Sequence, residues 1–304
     1  MTLLLEQLLN GLQFGAMLFM LASGLTLIFG IMGVVNLTHG SFYMVGAYCA
    51  AFALAHTGSF AAAVAAALLG AGAYGLLIEF TVIRRLYQRD HLYQVLATFG
   101  LILFTNEAVS LLFGRRPPLV DTPAVLQGAV TLAPGFEYPV LRLAFIALGA
   151  LVALGLWWLV NRTRVGMLVR AGADDREMVS ALGVDIRRLY TLVFGLGALL
   201  CGLAGVMAAP LLAVEIGMGE RVLITTFVVI VIGGVGSVRG AMAGSLLVGM
   251  VDSLGRAFLP QLLEGLLSPE VATPLAAGLA SASIYLLMAA VLIVRPLGLF
   301  SARS

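Results

Sequence analysis

Apolar and polar residues form long alternating blocks along this chain. Apolar stretches of about twenty residues recur over its whole length, and a helix of that size crosses a hydrocarbon core of about 30 Å. Two stretches, 40–56 and 222–235, are short enough to be broken or re-entrant helices. We predict nine spans, at 8–31, 40–56, 60–83, 93–113, 141–161, 189–210, 222–235, 240–261 and 275–294.

The composition places these spans in a lipid membrane. Hydrophobic residues make up 61% of the chain and charged residues 11%, with a mean hydropathy of +1.07, whereas a soluble domain carries roughly a quarter charged residues. A net charge of +2 is too small to indicate a nucleic-acid partner. We predict an all-α, polytopic integral membrane helix bundle of eight or nine spans, one or two of them short or broken, forming a single domain over 1–304.

The residue types limit the chemistry available to the chain. All 17 basic residues are arginine, which excludes a P-loop and Schiff-base chemistry because both need a lysine. Cys49 and Cys201 lie in apolar runs and are interpreted as packing residues. His56 and His91 have no companion at ligand spacing, so no metal site is predicted. The first apolar run continues to about Met32, which favours an uncleaved span over a signal peptide.

The arginines in the loops predict the orientation. If the spans alternate, twelve arginines fall on one side, namely three in 84–92, six in 161–188, and Arg239, Arg295 and Arg303. The other side holds five, which are Arg115, Arg116, Arg142, Arg221 and Arg256. Because basic short loops stay in the cytosol, we expect an N-terminus outside and a cytosolic C-terminus.

The segment 161–188 concentrates six arginines and four acids between two apolar runs. Asp174 and Glu177 have the spacing of a capping box, which predicts a helix over 175–182, and Gly183 has the position of a helix stop. The predicted apolar side comprises Met178, Val179, Ala181 and Leu182. Two interpretations are open: the helix lies on lipid headgroups, or it docks into a groove on a partner protein.

The opposite loop, 114–140, is rich in proline. Its five prolines exclude a regular helix and predict an ordered extracytoplasmic crossing or cap; they are Pro117, Pro118, Pro123, Pro134 and Pro139.

Two further motifs interrupt the apolar spans. Asn36, Thr38 and His39 precede Gly40 between the first two spans. They either satisfy backbone groups where a helix breaks, which we favour, or bind substrate or relay a proton. In the run 233–244, the glycines at 236, 240 and 244 share one helical face, which favours close helix packing over a phosphate cradle.

Few ionisable residues fall within the spans. Glu79 lies five residues before Arg84 and is expected to reach towards the cytosolic face, while Asp252 and Arg256 have the spacing of a helical pair. Glu107, in the outer half of its span, is a candidate for facing a transport path. This set is thin for a proton-coupled carrier, so a path would be lined mainly by apolar and small residues.

Several motifs together resemble one family of permeases. The run Gly33-Val-Val-Asn36-Leu-Thr-His39-Gly40, with Met44 and Gly46, resembles the Asn-x-x-His-Gly signature of LivH-type permeases, the membrane subunits of ABC importers for branched-chain amino acids. The stretch from Arg164 to Arg187 is similar to the main cytosolic loop of that family. The glycine-rich turn at 233–241 and the ending Pro296-Leu-Gly298-Leu-Phe300 are similar as well.

This resemblance implies a permease without enzymatic activity in the bacterial inner membrane. Its implied partners are a sister permease forming a heterodimer, two cytosolic ATPases that carry the ATP and Mg²⁺, and an extracytoplasmic substrate-binding protein. The coupling helix on the ATPases would comprise Asp174, Asp175, Arg176, Glu177, Met178, Ala181, Leu182 and Gly183. Topology and charge indicate five candidates for contact with the binding protein, namely Arg115, Arg116, Glu215, Glu220 and Arg221.

The cargo and the class each have an alternative. The same importer class also fits urea, short amides or aromatic acids as cargo, because the binding protein usually sets selectivity. A stand-alone channel or carrier is a less favoured interpretation, since it leaves the predicted cytosolic helix without a role.

Overall fold

A computed structural model describes residues 2–118, 120–265 and 267–300 of the chain. Within these ranges lie eleven α-helices and one two-stranded hairpin. The helices are α1 (Thr2–Met32), α2 (His39–Thr57), α3 (Phe60–Leu86), α4 (His91–Phe113), α5 (Val140–Arg162), α6 (Arg164–Asp174), α7 (Arg176–Ala181), α8 (Ile186–Ala208), α9 (Met218–Gly233), α10 (Val238–Glu264) and α11 (Pro269–Val294). The strands are β1 (Ala129–Ala133) and β2 (Phe136–Pro139).

The predicted class, an all-α polytopic bundle, is confirmed. Among the described residues, seven helices are long and apolar enough to cross a membrane, namely α1, α3, α4, α5, α8, α10 and α11. The two short predicted spans also form helices, since α2 has 19 residues and α9 has 16. Each of the nine predicted apolar stretches thus becomes a helix.

Helix α1 lies at the centre of the bundle. It packs most extensively against α10 and α8, and also against α5 and α9. Its side chains Leu18, Met20 and Ile28 are fully buried. Where α1 crosses α8, a Cβ added to Gly24 would lie 3.0 Å from the Cα of Gly197, so the two backbones touch. Small residues permit such close helix contact in membranes.

The two halves of the chain contain the same succession of helices, in opposite orientations within the bundle. In the first half, α1 is followed by an irregular break at 33–38, the short helix α2, a tight turn and the long helix α3. In the second half, α8 is followed by a break at 209–217, the short helix α9, a tight turn and the long helix α10. Because α1 and α8 start at opposite ends of the bundle, α2 and α9 begin near each other inside it and run towards opposite ends.

The proline-rich loop forms an ordered cap at one end. Strands β1 and β2 pair antiparallel, and the described part of 114–139 contains no α-helix, as predicted. The hydroxyl of Tyr138 donates a hydrogen bond to Asn10 Oδ1 at 3.0 Å, and the Arg142 guanidinium donates to the same oxygen. These bonds hold the hairpin and the start of α5 against the start of α1.

The glycine-rich turn brings α9 and α10 into backbone contact, as predicted. A Cβ on Gly240 would lie 2.2 Å from the carbonyl oxygen of Gly233. Gly236, which was predicted to share a helical face with Gly240, lies in the turn before α10 begins. The amides of Leu299 and Phe300 donate to the carbonyls of Ile232 and Gly233, both at 2.9 Å, so the C-terminal motif closes this turn. Arg303 lies outside the described residues.

The ionisable residues within the spans have partners. Glu79 is fully buried in a π-helical turn of α3, where it pairs with Arg84 at 3.3 Å and accepts a hydrogen bond from the Tyr87 hydroxyl at 2.5 Å. This buried position differs from the expected reach of Glu79 towards the surface. Asp252 and Arg256 form the predicted pair at 2.9 Å.

Candidate functional site

Two helices, not one, build the charged segment between α5 and α8. Helix α6 was not predicted. It begins at Arg164 and is capped by Thr163, whose hydroxyl accepts a hydrogen bond from the Gly166 amide at 3.1 Å. Val169 is buried, and the guanidinium of Arg170 donates to the carbonyl of Val160. The Thr163 cap and the apolar residues three and four positions apart along 165–169 are the signals that predict such a helix.

Helix α7 is the predicted short helix, but its first residue is shifted. Asp175 caps it, because its Oδ1 accepts from the amides of Glu177 at 3.0 Å and Met178 at 2.9 Å. Asp174, the predicted cap, is instead the last residue of α6. The predicted capping box of Asp174 and Glu177 is therefore wrong, because the cap lies one residue later and Met178 stands three positions after it. A cap two or three residues before the bonded amides is the standard geometry, which Asp175 meets.

Gly183 ends α7 as predicted. Its φ of +87° lies in the left-handed region, which an L side chain rarely adopts. The Gly183 amide donates to Ser180 O at 3.0 Å and the Val184 amide to Val179 O at 3.4 Å. This pair of bonds is a Schellman motif and satisfies carbonyls that the short helix would leave open.

The apolar side of α7 is divided between the protein and its surroundings. Val179 is buried, whereas Met178 is 62% exposed and Leu182 is 77% exposed. Arg176, Glu177 and Ala181 are exposed as well. Met178 and Leu182 are four residues apart and therefore share one face. Helix α7 thus presents an apolar edge with charged neighbours at one end of the bundle.

The polar side chains at the break between α1 and α2, Asn36, Thr38 and His39, are buried and contact nearby backbone groups. Asn36 Oδ1 accepts from the Thr38 amide at 3.0 Å, and the Thr38 hydroxyl donates to Thr98 O at 3.3 Å. His39 Nε2 lies 3.0 Å from both Leu21 O and Cys201 Sγ, and can donate to that carbonyl in the Nε2–H tautomer. The preferred interpretation, in which these side chains satisfy a helix break, agrees with these contacts.

Gln94 also supports this break and was missed by the sequence analysis. It is 2% exposed, and its Oε1 accepts from the Val35 amide at 3.1 Å. Its Nε2 donates to the carbonyls of Leu86 at 3.2 Å and Arg89 at 3.0 Å. The signal for this role is a polar face on α4, where Gln94 and Thr98 are four residues apart.

The first turns of α2 and α9 meet inside the bundle. A Cβ on Gly40 would lie 2.1 Å from Gly219 O, and one on Gly219 would lie 2.3 Å from Gly40 O. Leu21, which contacts His39, lies about 16 Å before the end of α1 at 1.5 Å per residue. The junction is therefore near half the height of the bundle. Only glycine permits both backbones to approach this closely.

Three of the residues predicted to contact a binding protein lie at this junction. Glu220 and Arg221 occupy the first turn of α9. Glu220 Oε1 accepts from Asn106 Nδ2 at 2.5 Å, and Arg221 donates to Glu215 as an ion pair. The side chains of Arg221 and Glu215 are 65% and 41% exposed. These charged side chains therefore lie near half the height of the bundle rather than at one of its ends.

The other predicted outer residues lie at the end of α4. Arg115 and Arg116 are exposed next to the proline-rich cap. Glu107 is 70% exposed and lies 4.0 Å from Arg115. The structure therefore brings Glu107 together with Arg115 but not with Asn36, Thr38 or His39.

A bundle of spanning helices with two shorter helices that meet inside it and a capped helix exposed at one end is typical of a multi-pass membrane transport protein. The chain belongs to the family described as branched-chain amino acid transport system / permease component, which matches residues 7–294.

Two relatives place the chain within this family. It is 32% identical over 265 residues to the high-affinity branched-chain amino acid transport system permease protein BraD of Pseudomonas aeruginosa, covering 83% of this chain and 86% of BraD. It is 30% identical over 269 residues to LivH of Escherichia coli K12, covering 84% and 87%. With its spanning helices, this likeness assigns the chain to the inner membrane as a multi-pass protein.

A solved structure shares the fold. A metal-chelate type ABC transporter in an inward-facing conformation superposes with a TM-score of 0.50 and 21% sequence identity, covering 93% of this chain and 84% of that one. At this identity the likeness concerns the fold alone.

Proposed function

We propose that this chain imports branched-chain amino acids as one of two permease subunits of an ATP-driven transporter. The cargo is inferred from the names of BraD and LivH, which favour branched-chain amino acids over urea, short amides or aromatic acids. Each of these relatives is named a permease protein, so we assign ATP hydrolysis, with its Mg²⁺, to separate partner subunits. A substrate-binding protein would deliver the cargo on the side of the membrane opposite the ATPases.

The orientation follows from the arginines. The end of the bundle that carries 84–92, α6, α7 and the C-terminal segment holds most of them, and we propose that it faces the cytosol. The N-terminus and the proline-rich cap would then face outwards. Arg115 and Arg116 remain candidates for contact with the binding protein, because they are exposed beside this cap.

The exposed edge of α7 supports an ATPase-coupling role and is the observation that carries this proposal. Met178 and Leu182 would enter a groove on the ATPase, where burial of apolar surface stabilises docking. The Asp175 cap and the Gly183 stop keep α7 short, and Val179 fixes it to the bundle. When ATP closes the two ATPases, α7 would move with its groove and transmit the motion to α8 through the short connection at 182–185.

The charges at the start of α9 support a path between two permeases. Arg221 and Glu215 are exposed at a depth where contact with lipid costs about 2.5–3.5 kcal/mol for a centrally placed charge. Their face of the bundle must therefore adjoin water or another subunit. We propose that this face, including Asn106 and Glu220, borders the path shared with a sister permease. For Glu215, Glu220 and Arg221, this position beside the path replaces the predicted contact with the binding protein.

Uptake into proteoliposomes tests the coupling role. The double variant Met178→Glu, Leu182→Glu should abolish ATP-driven uptake and the co-purification of the ATPase subunits, while membrane insertion stays normal. Met167→Glu is the matched control, since Met167 is 55% exposed on neighbouring α6. Normal uptake by the double variant would remove α7 from coupling. Transport by this chain without any ATPase would instead favour the stand-alone carrier.

A further inference from the structure

A groove opens on the outer surface of the bundle between α3 and α8. It has a volume of about 720 Å³ and runs along the half of α8 nearest α6 and α7. Its walls are apolar, formed by Leu76 and Phe80 of α3 and by Leu192, Leu196 and Leu199 of α8. Phe80, Leu192 and Leu199 are 50%, 47% and 38% exposed, so the groove is accessible from the surrounding membrane.

Three arginines line the end of this groove nearest α6 and α7, together with Asp185. Arg84 donates to Glu79 from two nitrogens at 3.3 Å and to the Thr191 hydroxyl at 3.0 Å. Its guanidinium also lies 4.4 Å from the centre of the Phe80 ring. These contacts hold the Arg84 head at the rim in one position, and its Nη1 makes no hydrogen bond within the described residues.

The charges of the other two arginines at the rim are only weakly compensated by acidic groups of the protein. Among the described residues, the guanidinium of Arg187 makes neither a hydrogen bond nor an ion pair. Arg188 lies 3.0 Å from Asp185, but their side chains are 89% and 51% exposed. Such an exposed pair contributes little. With Glu79 offsetting Arg84 and Asp185 offsetting Arg188, the rim keeps one net positive charge.

We propose that this groove binds a phospholipid with an anionic headgroup. An acyl chain would lie along the leucines of α8, and the phosphate would lie among Arg84, Arg187 and Arg188. Basic pockets between membrane helices bind acidic headgroups in this manner. An apolar helix of a partner subunit would fill the same walls but would leave the arginines without counter-ions, whereas a phosphate supplies charge-assisted hydrogen bonds.

Tryptophan quenching by brominated lipids provides the test. The chain has two tryptophans, Trp157 and Trp158, both on α5 and outside the lining of the groove. Both are replaced by phenylalanine, and Leu199→Trp adds a reporter at the inner end of the groove. The protein is then reconstituted with brominated phosphatidylglycerol or brominated phosphatidylcholine. The unaltered protein, with its own two tryptophans, reports the surrounding lipid.

Phosphatidylglycerol should quench the reporter at Leu199 preferentially. Arg187→Gln with Arg188→Gln should lower that preference by roughly 30-fold, since each arginine near an anionic lipid contributes about 1 kcal/mol, or about fivefold. Replacing both by lysine should retain most of it. Arg85→Gln with Arg89→Gln, on the same side but outside the groove, should leave it unchanged.

Three results would overturn the proposal. Equal quenching by the two lipids would show that the groove is filled without regard to charge. If the Arg85 and Arg89 variant lost as much preference for phosphatidylglycerol as the Arg187 and Arg188 variant, the preference would be due to general surface charge. Absence of quenching by either lipid at Leu199, with normal quenching of Trp157 and Trp158 in the unaltered protein, would show that a polypeptide covers the groove.

Discussion

Replacing Asp175 with alanine should loosen α7, whereas the same change at Asp174 should not. Asp175 Oδ1 accepts two backbone hydrogen bonds, from Glu177 at 3.0 Å and from Met178 at 2.9 Å. The loss of such a cap costs about 1 kcal/mol. Helix α7 has six residues, too few to be stable without its ends and its packing. Asp174 accepts no hydrogen bond from the described residues and lies at the end of α6.

The expected loss of helix stability is large enough to measure by hydrogen exchange. A loss of about 1 kcal/mol raises the open population of α7 by about fivefold. Amide hydrogen exchange of peptides covering 177–182 should therefore accelerate by about that factor in Asp175→Ala and remain unchanged in Asp174→Ala. ATP-driven uptake should fall in the first variant and not in the second. Acceleration in Asp174→Ala alone would place the cap at Asp174 and refute the structural register, and equal acceleration in both variants would show that Asp175 is not the sole cap. Unchanged exchange in both would show that packing of Val179 alone holds the helix.

Two further changes test the interior junction. Gly40→Ala should lower the thermal stability of the purified protein by about 1–3 kcal/mol, because its Cβ would lie 2.1 Å from the backbone oxygen of Gly219. Gly100→Ala is the control, since nothing lies within 4 Å of the added Cβ, and a comparable loss there would contradict the close contact. Arg221→Cys, in a background without Cys49 and Cys201, should react with a membrane-impermeant thiol reagent in the assembled transporter. Leu111→Cys, 84% exposed on α4, should not react, and an inert cysteine at position 221 would refute the polar path.

Much of the fold was predictable because its signals are local. A span is defined by the transfer of its own side chains into lipid, so each of nine apolar stretches predicts a helix without knowledge of its neighbours. The stop at Gly183 is local in the same sense, since a left-handed residue is needed wherever a short helix turns away. Family resemblance added the partners and the coupling role, which the residues alone left open between a lipid surface and a protein groove.

The errors concern features with near-equivalent local alternatives. Asp174 and Asp175 are both capable of capping a helix, and the choice between them depends on where α6 ends. Helix α6 itself was missed because its charges were interpreted as one loop, although Thr163 and Val169 give it a cap and a buried side. The polar face that Gln94 and Thr98 form on α4 can be read from the sequence, but no local feature indicates that Gln94 bonds the distant amide of Val35.

Hydropathy and charge along the chain therefore suffice to predict an all-α membrane bundle, its nine apolar helices, which of these are short, and the position of the charged segment. The folded structure was needed to show that α2 and α9 meet at Gly40 and Gly219, that Glu220 reaches Asn106, and that arginines of α3 and α8 border one groove. Hydropathy acts on each segment separately, so it is readable along the chain. Contacts between segments more than a hundred residues apart depend on how helices pack, which no local pattern specifies.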